Sequence, residues 1–335
     1  MILIDAVYVN NGGGKVLLDY LIEKLEETNK NIFYLLDLRV SGNLPKIKKS
    51  NPVQFIKASL YQRNKFYQQH KNNFSSVLCF GNLPPSIKMN AKVFTYFHQP
   101  MYLKVPDNFS VTEKIKFWLK TRVLNYFKKN TNFWLVQSDL IKQKLTEKYS
   151  LPPEDVVICP FYPPFEVEEN ATKIKDSYLY VSNPTPHKNH MRLIESFCCF
   201  YDTHTRGQLI LTVDDSNKEV SDFIQTKQKE GYSIKSVGFI SRNKLVEVYK
   251  ESEFLIFPSL SESFGLGLVE AIDCGCKILG ADLLYTYEVC EPSAVFNPYD
   301  KNAIVQCLSV SLNTNLPMSQ SKISNQIHKI VELLQ

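Results

Sequence analysis

No run of apolar residues in this chain reaches the roughly 18 needed to cross a bilayer, and the opening MILIDAVYVNNGGGK lacks the basic region that starts a secretory signal. The reading is a cytoplasmic protein that neither spans a membrane nor is exported by that route. The Asn-X-Ser/Thr triplets at Asn73, Asn108 and Asn170 are then chance sequons. Paired CxxC sets are also missing. The eight cysteines are scattered apart from Cys198-Cys199 and Cys274-Gly275-Cys276, so they do not supply a tetrahedral zinc site and are read as reduced core residues. No charge of one sign dominates: 39 basic residues face 34 acidic ones, and a net charge of +5 gives no reason to expect nucleic acid as a partner. Internal repeats, low-complexity tracts and a disorder signature are absent as well.

One further absence excludes two enzyme classes. Ile2 to Val9 reads as a first strand, and Asn10-Asn11-Gly12-Gly13-Gly14-Lys15 turns it into a helix with the apolar stripe Leu17, Leu18, Leu21, Ile22 and Leu25. Strand, glycine turn and helix suit a phosphate. The P-loop, however, needs Lys-Ser/Thr after its last glycine, and the dinucleotide fingerprint would need glycine where Leu17 stands, so neither an ATPase nor a dehydrogenase is expected.

What is present is enough for a large core: 335 residues, 44% of them hydrophobic, a length that favours two domains over one. Asn31 to Leu38, Ser76 to Phe80, Val93 to Phe97 and Asn132 to Val136 read as further strands, with Ser138 capping a helix that runs to Tyr149. CPFYPPF, Cys159 to Phe165, and the polar run Glu166 to Asp176 form the hinge. The expected organisation is a first doubly wound domain over 1–163, a second over 164–318, and a terminal amphipathic segment over 319–335 whose helix packs back on the first domain. In the second domain the strand Tyr178 to Val181 leads through Ser182-Asn183-Pro184-Thr185-Pro186-His187-Lys188-Asn189 into a helix from His190 to Phe200. Gln208 to Val213 and Ser233 to Val237 are strands, the second running into Gly238-Phe239-Ile240-Ser241, and a helix with Leu245, Val248 and Tyr249 inward follows.

The chain is organised around Ser261 to Ala271, SESFGLGLVEA. The buried strand Glu253 to Ser259 precedes it, Pro258 ends that strand, and a helix to Asp273 closed by Gly275 leads into the strand Lys277 to Gly280. Glu262 then lies in the loop at a strand's carboxyl end and Glu270 in the first turns of a helix whose opening N–H groups are free for a phosphate. Gly265 and Gly267 let a ligand approach that backbone, while one carboxylate accepts sugar hydroxyls and the other those of a ribose. The pair suits a sugar nucleotide.

This stretch resembles the signature of retaining glycosyltransferase family 4, of the surface-polysaccharide type, in which a loop glutamate, a Phe-Gly pair and a helical glutamate recur in this arrangement. The resemblance implies the GT-B fold, two Rossmann-like α/β domains facing a cleft, with Glu262 on the donor sugar and Glu270 on the ribose. It extends to the glycine turn, Gly13 and Gly14, to His98 in YFHQPMYL as the cleft histidine, to Lys188 as the phosphate-binding lysine, to Gly238 and Phe239 in the base-binding turn, and to Tyr285 to Asp300 as the closing segment. Asn183, Ser263, Phe264, Gly265 and Leu266 complete the nucleotide-sugar set. Many family members carry an arginine near the place of Asn183, so the resemblance leaves the second phosphate charge without an assigned partner.

The expectation is transfer of a hexose, with retention, from a nucleotide diphosphate sugar to an acceptor hydroxyl, needing no cofactor and no metal. Asp214-Asp215 lacks the Asp-x-Asp spacing of a metal site. The acceptor expected from the resemblance is a polyprenyl-diphosphate-linked glycan of O-antigen or capsule type. Thr112 to Lys129 carries a basic amphipathic helix read in two ways: as a contact with an anionic membrane surface on the inner face of the cytoplasmic membrane, or as a helix with its apolar face in the core. Two rival functions stay open. A sugar-nucleotide epimerase on this fold would turn over its substrate with no acceptor present, and a non-catalytic binding protein would bind nucleotide sugar without turnover.

Overall fold

The computed structural model describes residues 1–106, 109–165 and 172–334, and the chain divides into two compact units. The triplets at Asn108 and Asn170 and most of the polar run after Phe165 lie outside the described residues. The first unit comprises Met1–Val105, Phe109–Pro163 and Ser324–Gln335; the second comprises Pro106–Asn108 and Pro164–Ile323.

In the first unit β1 (Ile2–Ala6), α1 (Gly12–Glu26), β2 (Ile32–Asp37), β3 (Val53–Ile56), α2 (Leu60–His70), β4 (Ser76–Cys79), β5 (Lys92–Tyr96), α3 (Val111–Phe127), β6 (Phe133–Val136), α4 (Asp139–Tyr149) and β7 (Val156–Ile158) follow in order. The strands form a seven-stranded parallel sheet in the order β3-β2-β1-β4-β5-β6-β7. A parallel sheet covered on both faces needs strands apolar on both sides, which the fully buried β1, β4 and the interior of β5 supply. The order reverses between β1 and β4, and at such a switch point the loops after adjacent strands splay apart and leave room for a ligand. β3 and β7 at the two edges are additions to the five strands expected. VQFI and VVI are too short to carry a periodic signal.

The second unit contains β8 (Ile174–Tyr180), α5 (His190–His204), β9 (Gln208–Leu211), α6 (Lys218–Lys229), β10 (Ile234–Ser236), α7 (Arg242–Glu251), β11 (Ser252–Phe257), α8 (Leu266–Asp273), β12 (Lys277–Ala281), α9 (Leu284–Val289), β13 (Cys290–Glu291), β14 (Ala294–Phe296), α10 (Lys301–Asn313) and β15 (Gln320–Ser321). Its six-stranded sheet is parallel, in the order β10-β9-β8-β11-β12-β14, with the switch point between β8 and β11. Gly275 (φ +72°) ends α8 in the left-handed conformation that glycine adopts without a Cβ clash, as its position in the sequence anticipates.

The terminal segment is less helical than the amphipathic helix expected within 319–335. Its first residues pair β15 with β13 as an antiparallel ribbon in the second unit, because Lys322 to Asn325 carry no apolar stripe. Only α11 (Ile327–Leu333) is helical, and it belongs to the first unit, where Asn325 donates to Tyr20 at 2.9 Å and Lys329 to the Ile158 carbonyl at 3.1 Å.

Candidate active site

The loops after the switch-point strands β8 and β11 meet. Lys188 closes a short 3-10 turn, Pro186–Lys188, and Asn189 follows at φ +63°, a left-handed conformation that asparagine tolerates better than most residues. The turn is fastened to the β11 loop: Leu260 N–H donates to the His187 carbonyl at 2.7 Å, and the Asn189 amide donates to the Pro258 and Pro298 carbonyls. Tyr180 at the end of β8 donates its hydroxyl to the Lys188 carbonyl, and Tyr285 donates to the Ser259 carbonyl. With both loops fixed from below, Lys188 Nζ reaches Glu262 Oε1 at 2.5 Å, both side chains being partly exposed. The sequence names both residues, and the fold pairs them. Such a pair is open to exchange, because an incoming phosphate carries more charge than the carboxylate it would displace.

Beyond Glu262 the chain enters α8 through Gly265 at φ +72°. No side chain caps the helix, and Gly267 packs so closely on Phe257 and Tyr249 that an added Cβ would lie 3.3 Å from the Phe257 ring. The Leu268 N–H donates to the Gly265 carbonyl at 2.8 Å, which leaves the first two N–H groups of α8, those of Leu266 and Gly267, for an anion. Leu266 opens the helix and Ser263 is half-buried, but the Phe264 side chain is buried in the core, so only its backbone faces the loop.

Glu270 is only 3% exposed. Burial pushes its pKa up, opposed chiefly by Arg242, whose guanidinium lies 2.5 Å from Oε1, and by the Tyr249 hydroxyl, which donates to Oε2 at 3.2 Å. Neither partner is signalled locally in the sequence; Arg242 stands 28 positions away on α7. Asn183 is exposed after β8, and Phe239 projects into solvent at 82% exposure beside Gly238 (φ +67°), where open space surrounds the turn. Burial, reinforced by Lys188, lowers the His187 pKa to about 4, leaving that imidazole neutral near pH 7. Asp214 and Asp215 are engaged locally, accepting from Ser216 and Ser221 respectively.

The first unit gathers its own candidates at its own switch point. Gly12, Gly13 and Gly14 form the first turn of α1, and a Cβ on Gly14 would sit 2.9 Å from His98 Cε1, so the glycine there is what lets the helix start lie against the imidazole. His98 packs on Phe80 and Tyr96, its backbone N–H donates to Asn82 Oδ1 at 2.6 Å, and burial lowers its pKa to about 4, keeping the ring neutral. A buried ion pair supports that loop: Arg63 on α2 meets Asp5 on β1 at 2.7 Å and donates to the carbonyls of Leu83 and Pro84, directly after Asn82. Removing one partner of such a pair costs about 3–5 kcal/mol, because the other charge stays buried. Lys15 is drawn to Asp19 at 2.5 Å and away from the glycine turn.

Comparison with known proteins places these geometries. Residues 165–318, which lie in the second unit, match the family model described as glycosyl transferases group 1. Over 175 residues, 51% of this chain and 19% of the relative, the sequence is 26% identical to the serotype-specific mannosyltransferase WbdA of Escherichia coli; the chain thus matches about a fifth of that relative's length. Sucrose-phosphate synthase from Thermosynechococcus elongatus superposes with a TM-score of 0.72 at 16% identity, covering 93% of this chain and 89% of that one. WaaG, a glycosyltransferase involved in lipopolysaccharide biosynthesis, gives 0.64 at 14% identity, covering 93% and 90%. At these identities the solved structures establish the fold: two parallel-sheet α/β units of the GT-B class.

Proposed function

We propose that this chain, whose second unit matches the family model described as glycosyl transferases group 1, moves a hexose from a nucleotide diphosphate sugar to an acceptor hydroxyl, with retention of configuration and without a metal or other cofactor. The observation that carries the reading is the Lys188–Glu262 pair at 2.5 Å, at the carboxyl edge of the two switch-point strands and inside the matched region. In this reading Lys188 and the first N–H groups of α8 take the diphosphate and stabilise the charge that develops as the nucleotide leaves, which is the largest single contribution a preorganised site makes. Glu262, released from Lys188, accepts hydroxyls of the transferred sugar. Glu270 accepts those of the ribose, and the Gly238-Phe239 turn receives the base. His98, kept neutral, serves as a hydrogen-bonding partner at the glycine turn rather than as a cation. In this reading neither Lys188 nor Glu262 acts as a covalent nucleophile, and displacement takes place on one face of the sugar.

The proposed acceptor is a polyprenyl-diphosphate-linked glycan of surface-polysaccharide type, reached at an anionic membrane. Two lines support it. The names of WbdA and WaaG speak of serotype and lipopolysaccharide. On α3, Ile115, Trp118, Leu119 and Tyr126 are 53%, 59%, 53% and 68% exposed, beside a row of lysines and Arg122. Among the described residues no helix is long and apolar enough to cross a membrane. A thermal-shift screen against nucleotide sugars tests the donor assignment: a ligand that binds only the folded chain raises its melting temperature by an amount set by its concentration over its Kd. One base and sugar should stand out. A flat response to all nucleoside diphosphates and their sugars would overturn the reading.

A further inference from the structure

Arg242 occupies a position that local physics disfavours. It is the first residue of α7, where the helix dipole opposes a cation, and the first turn of that helix holds no acidic residue to offset it. A residue that breaks a local rule is held there by something tertiary. Its guanidinium lies 2.5 Å from Glu270 Oε1 on one side and 4.1 Å from the centroid of the Phe165 ring on the other, and that ring in turn packs on Tyr249 at 5.9 Å. Tyr249 donates to the second Glu270 oxygen. Glu270 is thus framed from α7 on both oxygens. A carboxylate has about four acceptor positions, so those two contacts leave one on each oxygen.

We propose that Arg242 is a positioning residue for the donor's ribose: it holds Glu270 charged and oriented, so that its remaining acceptor positions meet the two vicinal hydroxyls. The inference rests on the assignment of Glu270 to the ribose. The groups facing Glu270 are Arg242 and Tyr249 from α7 and Asp273 and Cys274 at the end of its own helix. Of these only Arg242 is cationic. Burial alone pushes this carboxyl upward, so without Arg242 it gains a proton at higher pH and turns one acceptor into a donor.

The test is calorimetric binding of uridine and guanosine diphosphates and their 2′,3′-dideoxy counterparts. The wild type should prefer the ribonucleotide of its own base by about tenfold or more, the scale of a hydrogen bond to a charged group. R242M should lose that preference while its dideoxy affinity stays within about threefold, and R242K should keep most of it. The wild-type preference should fade as pH falls through the raised Glu270 pKa, and in R242M it should reappear only at higher pH, where Glu270 sheds its proton. If R242M does not fold, the double variant E270Q/R242M, which leaves no buried charge unpaired, replaces it and should bind like E270Q. Equal loss of ribo and dideoxy affinity in R242M, or a further loss of dideoxy affinity in the double variant, would overturn this inference alone. A wild type that binds no nucleoside diphosphate would overturn the donor assignment and this inference together.

Discussion

Lys188 and Glu262 are 74 positions apart: Glu262 is marked by its own surroundings, in the loop before Phe-Gly at the head of a helix, whereas Lys188, a lysine after a strand and proline turn, is singled out only by the family resemblance. What the sequence does not carry is that the two meet, because the contact depends on β8 and β11 being neighbours. Their roles separate by measurement. Glu262→Gln should reduce turnover strongly and leave nucleoside diphosphate affinity nearly intact, since the carboxylate is assigned to the sugar; wild-type rates would remove that assignment. Lys188→Ala should lower the rate by roughly a hundredfold or more, the effect of deleting one preorganised charge-stabilising donor. A loss under threefold would leave Lys188 as a solvated loop lysine. Asp214 and Asp215 are engaged with Ser216 and Ser221, so chelating divalent ions should leave the rate unchanged, and complete inhibition by a chelator would contradict a metal-free mechanism.

At the level of elements, legibility followed length and periodicity. The strand–loop–helix–strand run through SESFGLGLVEA was readable because β11 is apolar throughout its last four residues, Pro258 stops it, and glycines bracket α8. β3, β7 and β14 were not, since three or four residues at a sheet edge owe their conformation to the neighbouring strand. The Arg63–Asp5 pair, which supports the loop after β4 whose Asn82 accepts from the His98 N–H, was equally invisible: 58 positions separate its partners. α3 shows the opposite case. Its start is fixed by a local capping box between Ser110 and Glu113, and the sequence left its apolar face divided between core and lipid. In the fold Leu124 anchors the helix to the core and Val123 and Phe127 flank it, while Ile115, Trp118, Leu119 and Tyr126 face outward. An exposed apolar row with lysines beside it fits an anionic lipid surface, each lysine adding about 1 kcal/mol of screenable attraction. Co-sedimentation with anionic but not neutral vesicles is expected, weakened by high salt and by Lys116→Glu with Lys120→Glu. Indifference to vesicle charge would remove the membrane from the account.

For the whole molecule, each unit repeats one solution: a doubly wound parallel sheet whose strand order reverses once, with its candidate site residues in the loops near the carboxyl edge beside the reversal. The first unit presents a glycine turn against a neutral histidine. The second presents a lysine–glutamate pair, an uncapped helix start and a buried glutamate with an arginine partner. The central claim is that these serve transfer to an acceptor, and proton NMR tests it most directly. The protein is incubated with the nucleotide sugar that stabilises it, with and without a polyprenyl-diphosphate-linked glycan. The account predicts that free nucleoside diphosphate and a new glycosidic anomeric signal of unchanged configuration arise together, and only when the glycan is present. Conversion of the nucleotide sugar into its epimer without acceptor, or tight binding with no turnover under either condition, would contradict it.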